Sequence, residues 1–125
     1  MKTNKQNFLS AMMVANQLKV EKDKLGVNAT IFIESNEATL KKIQREIKKV
    51  QVKYCLTDKN EAIIYDEKGN FMFGKENIFD LEDEMDSLLS EEITIEPCVT
   101  LPEDCERVEE TGLANMKNFC GILIP

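Results

Sequence analysis

Residues 28–54 read NATIFIESNEATLKKIQREIKKVQVKY. Ile33, Leu40, Ile43, Ile47, Val50 and Tyr54 recur three or four positions apart, and Asn36 fills the one polar rung. That spacing places them on one face of a helix. Lys41, Lys42, Arg45, Lys48 and Lys49 fall on the other side. The stretch therefore predicts a single long helix, apolar on one face and basic on the other. A rival reading makes residues 30–35 a strand, because Ile31, Phe32 and Ile33 are good strand formers, with Ser35 or Asn36 capping a shorter helix. In either reading Asn36, a polar residue in an apolar seam, can fix register through a hydrogen bond.

Upstream, Thr3 and Gln6 form a capping-box pattern that starts a first helix at Thr3. Phe8, Met12 and Ala15 share a face of it, with Leu9, Met13 and Val20 alongside. Gly26 suits the position just past a helix end. The short connection at residues 26–28 makes the two helices antiparallel neighbours.

Downstream the period changes from 3.6 to 2. Residues 62–65 and 71–73 flank Asp66-Glu67-Lys68-Gly69-Asn70, a hairpin signal in which Gly69 supplies the positive φ. Gly74 or Asn77 then opens a third helix through Ile78, Leu81, Met85 and Leu88, with Glu82, Asp83, Glu84 and Asp86 on its other positions. Glu92 to Glu96 alternates as an edge strand ended by Pro97. Thr111 caps a final helix containing Leu113, Met116 and Phe119. The fold class is α+β: an antiparallel helical hairpin over 3–54, then a β-hairpin, a third helix, a short strand and a C-terminal helix in an acidic part over 55–125. Residues 1–125 are read as one domain with no internal repeat.

The composition is that of a globular chain of 125 residues, 42% hydrophobic and 31% charged, large enough to bury a core unaided. The net charge of −7 hides a split. Residues 1–60 hold 12 Lys/Arg against 6 Asp/Glu, a balance of +6, whereas residues 61–125 hold 4 against 17, a balance of −13. No apolar run approaches the roughly 18 residues of a membrane span, and the N-terminus lacks signal-peptide character. The cytoplasm of the cell that makes the chain is the expected location. Cys55, Cys98, Cys105 and Cys120 show no paired metal-ligand spacing and are expected as free thiols.

The sequence holds no His and no Gly-rich phosphate loop, and no Cys has an activating neighbour. No catalytic residue, cofactor or metal ligand is assigned, and a non-enzymatic role is expected. The carboxylates at 82–86 read as a solvated helix face, because adjacent helical residues diverge. The basic stripe could track phosphates, yet no aromatic or Gly interleaves it, and nucleic acid is not the expected partner. The candidate interaction surface is instead Lys41, Lys42, Arg45, Lys48 and Lys49 with Glu82, Asp83 and Asp86: the basic stripe faces solvent or pairs with those acids inside the molecule, and if the acids do not cover it a partner does. Broad apolar faces and the tail at 121–125 also suit a homo-oligomer.

The order of elements resembles a group of small, uncharacterised tailed-phage proteins grouped as a domain of unknown function. The features that carry the resemblance are two charged helices ending in Tyr54, Asp66-Glu67-Lys68-Gly69-Asn70 followed by Phe71, a helix ending Leu88-Leu89-Ser90-Glu91-Glu92, and the strand Ile93-Thr94-Ile95. It covers residues 7–97. Genes of that group lie among late structural genes, so the resemblance implies a phage protein that binds another protein as a virion or tail-assembly accessory. No site residue carries over, since the group has no established site. The alternative is a phage-encoded inhibitor of a host defence system, in which the acidic half would occupy a basic cleft.

Overall fold

The computed structural model describes residues 2–21 and 24–96. The chain is mixed α+β and mostly helical. Its elements are β1 (Lys2–Asn4), α1 (Lys5–Leu18), α2 (Lys24–Ser35), α3 (Glu37–Tyr54), α4 (Ile78–Ser90) and β2 (Glu92–Thr94). The expected C-terminal helix, the apolar tail and Cys98, Cys105 and Cys120 lie outside the described residues. Contacts divide the chain into two compact units, Met1–Lys41 with Glu91–Pro125, and Lys42–Ser90. The division falls inside α3, whereas the sequence pattern suggested a change at residue 55.

In the first unit, β1 pairs antiparallel with β2, with Thr3 opposite Ile93. Thr3 is thus a strand residue, and the cap of α1 is Asn4, whose side chain accepts from the Asn7 N–H at 2.7 Å. The capping-box reading was one residue early because Thr and Asn both cap well, and pairing with β2 claims Thr3. Lys5 continues the junction: its N–H donates to the Glu91 carbonyl (3.1 Å) and its buried ammonium meets the Glu91 carboxylate (2.6 Å).

The core of this unit is Phe8, Ala11, Met12, Val14, Ala15 and Leu18 from α1, Ala29 and Phe32 from α2, and Ile95. The Phe8 and Phe32 rings meet edge to face at 6.3 Å. The start of α1 therefore lies beside the end of α2, the antiparallel arrangement that the short connection implied. Met13 and Val20, expected next to the apolar face, are exposed. Gly26 lies within α2 rather than beyond a helix end, and a Cβ there would meet the Glu21 carbonyl oxygen at 1.9 Å, so close approach selects the glycine.

The expected long helix is helical on both sides of Asn36 but interrupted there. The Phe32 carbonyl accepts both the Asn36 N–H (3.2 Å) and the Asn36 side-chain NH₂ (2.9 Å). A side chain that competes for the backbone acceptor explains the break. The same buried amide donates to the Glu96 carbonyl and accepts from the Glu96 N–H, each at 3.0 Å. It thus reads the backbone of the chain leaving β2 as a neighbouring strand would.

The second unit holds the rest of α3, α4 and a meander between them. The expected hairpin is present, with Tyr65 bridged to Phe71 and their rings 5.6 Å apart. A third extended segment joins it: Cys55 bridges Phe73 and Thr57 bridges Ile63. Each of the three segments thereby pairs with both others. The two turns are copies of one another. Asp66 Oδ1 accepts from the Lys68 and Asn70 N–H groups, and Asp58 Oδ1 accepts from those of Asn60 and Ala62. Gly69 (φ 80) and Glu61 (φ 64) hold the same left-handed position. A strand-and-turn unit therefore recurs every eight residues, a repeat that only the Gly-containing copy advertises in sequence. The Cys55 side chain is buried and unbridged, and its thiol meets the Val52 carbonyl.

Candidate interaction surface

Two sides of α3 and of α4 are distinguished by burial. On α3, Ile43 is fully buried and Ile47, Val50 and Tyr54 are half-buried. Arg45, Lys48, Lys49 and Val52 lie on the other side and are exposed. On α4, Leu88 is buried, Leu81, Glu84 and Met85 are half-buried, and Phe79, Glu82, Asp83 and Asp86 are exposed. These patterns follow the 3-4 spacing of each sequence.

The inward sides meet at Glu84. Its Oε1 accepts from the Tyr54 hydroxyl at 2.8 Å and from the Lys53 ammonium. The Lys53 ammonium, then the Tyr54 hydroxyl, hold the Glu84 carboxyl below its ordinary range. The same contact with Glu84 raises Lys53 and Tyr54 above their ordinary values. The shared oxygen fixes the end of α3 against the middle of α4. Sequence reasoning grouped Glu84 with its acidic neighbours; its signal was its place on the Leu81–Met85–Leu88 face.

The residues expected to form the surface lie outside this contact. Lys41 pairs with Glu37 one turn back, at 3.0 Å. Lys42, Arg45, Lys48 and Lys49 are exposed, as are Glu82, Asp83 and Asp86. The acids expected to cover the basic stripe within the chain therefore point away from the seam that Glu84 occupies. The stripe is not covered by them because a helix can present only one side to its neighbour.

A hollow of ≈ 370 Å³ opens on α3, lined among the described residues by Arg45, Lys48, Lys49 and Val52. The first unit carries a smaller one of ≈ 200 Å³, lined by Lys19, Glu21, Gly26, Val27, Thr30 and Ile31. Among the described residues no three His, Cys, Asp or Glu side chains converge as metal ligands, and no described helix is long and apolar enough to cross a membrane. No protein-family model, curated protein or solved structure matches the chain.

Proposed function

We propose that this chain works by binding another protein, without catalysis, as a virion or tail-assembly accessory of a tailed phage. The observation that carries the reading is the thin interior of the second unit. In residues 42–90 only Ile43, Cys55 and Leu88 are buried, while Val52, Ile64, Tyr65, Met72, Ile78 and Phe79 stand exposed. Large apolar side chains left in water at this density mark surfaces that a partner covers. The phage assignment rests on the resemblance in element order. Mass spectrometry of purified particles tests it: presence at fixed stoichiometry is expected, and absence together with expression early in infection overturns it.

That second outcome would favour a phage inhibitor of host defence, acting in the host cytoplasm. The exposed acids Glu82, Asp83 and Asp86 support this alternative, as an anionic strip suited to a basic cleft.

A further inference from the structure

The outward side of α3 holds four cations side by side without a counter-charge. Lys42, Arg45, Lys48 and Lys49 are all exposed, and none of them meets a carboxylate among the described residues. Cations elsewhere do find one: Lys5 pairs with Glu91, Lys41 with Glu37 and Lys53 with Glu84. Acids are not scarce around them, since residues 42–90 hold 11 Asp/Glu against 8 Lys/Arg. The four cations lie within about 10 Å of helix axis. That is about one screening length at 0.1 M salt, so they repel one another.

The same side carries an apolar feature. The hollow of ≈ 370 Å³ is lined, among the described residues, by Arg45, Lys48, Lys49 and Val52. Val52 is 41% exposed, and the stems of lysine and arginine are hydrocarbon up to their charged ends. The hollow is therefore apolar inside and cationic at its edge, which selects a ligand carrying both an apolar side chain and carboxylates. We propose that this face of α3 takes an acidic segment of a partner protein. An apolar side chain of that segment fills the hollow at Val52, and flanking carboxylates meet Arg45, Lys48 and Lys49. A duplex nucleic acid would satisfy the cations alone. Its phosphates offer nothing apolar to the hollow, and its length would carry further phosphates over a unit of negative balance. This surface gives the protein-binding reading, on which it rests, a place and a partner chemistry.

Fluorescence anisotropy on the full chain tests it, with a labelled peptide of glutamates around a single leucine as the probe. Saturable binding tighter than about 1 mM is expected at low salt, and it should weaken as the screening length falls to about 3 Å at 1 M. Replacing the leucine by serine, or the glutamates by glutamine, should each weaken binding about tenfold. Lys48→Gln/Lys49→Gln and Val52→Ser in the protein should do the same, with far-UV circular dichroism confirming the fold. No saturable binding of the probe, equal binding of the serine peptide, binding unchanged by both folded variants, or tighter binding of a labelled DNA duplex at the same salt overturns the proposal. So does self-association, followed by light scattering, that Lys48→Gln/Lys49→Gln abolishes, because a second copy is then the occupant. Failure of the probe with the chain still on purified particles strikes this surface alone. Binding of the probe by a chain absent from particles strikes the virion assignment alone.

Discussion

Replacing Asn36 tests whether one buried amide joins the helix break to the strand end. Asn36→Leu keeps the side-chain size and removes three hydrogen bonds: two donated, to Phe32 and Glu96, and one accepted, from Glu96. At about 1 kcal/mol net for each, the loss is about 3 kcal/mol. Urea unfolding of the two proteins reads it directly; with a slope near 2 kcal/mol/M, the midpoint should fall by about 1.5 M. Native-state exchange gives a local reading, since the Glu96 amide should exchange roughly a hundredfold faster. Asn36→Asp separates the donors from the acceptor. It keeps an acceptor for the Glu96 N–H but sets a buried carboxylate against two carbonyl oxygens. That raises the carboxyl pKa in the folded state, so the variant should gain stability as pH falls, the reverse of a paired surface carboxylate. A loss below about 1 kcal/mol for Asn36→Leu, with no change in Glu96 exchange, would refute the reasoning.

Glu61→Gly should stabilise by about 0.5 kcal/mol, because relief of left-handed strain outweighs added chain entropy, whereas Gly69→Ala should cost about 1 kcal/mol; the urea midpoints must move in opposite directions. Glu84→Gln removes a carboxylate whose folded pKa lies below its ordinary 4.5. The stability gap to wild type should be full above that value and close as pH falls through the depressed folded pKa; a gap that widens on acidification contradicts the pairing. Glu91→Ala leaves the buried Lys5 ammonium without that carboxylate and should cost roughly 2 kcal/mol, less than a fully buried pair because Glu91 is half exposed. Adding Lys5→Met to Glu91→Ala should recover most of the loss in thermal unfolding.

Legibility in the sequence followed how local the cause was. The faces of α3 and α4 were readable, because helical spacing alone separates Ile43 from Arg45 and Leu88 from Asp86. The hairpin at Asp66 was readable through Gly69, while its copy at Asp58 was hidden by Glu61 in a conformation usually held by glycine. β1 was invisible because Lys2-Thr3-Asn4 has no strand pattern of its own and is recruited by β2, about ninety residues away. The partner of Asn36 beyond its own helix is Glu96, 60 residues along the chain; spacing could flag the polar rung but not that partner. The core was shifted too. The ladder through Ile33 drew attention from Ala29 and Phe32, the α2 residues that α1 covers. For the interaction surface, the residue types were readable but not which side of α4 its neighbour claims.

The three-way pairing of the meander bears on strand-to-strand association of such an apolar unit. A flat ribbon with Ile64, Tyr65 and Met72 exposed would offer a free edge to the next chain, and strand could add to strand without limit. Here each extended segment bridges both of the others, so the three close on one another instead of lying as a flat ribbon, and the long regular edge that fibre growth copies is missing from them. What is left for association is side chains on helices and faces, and a contact of that kind closes on itself at a fixed number of copies when the same patch meets itself across a two-fold axis.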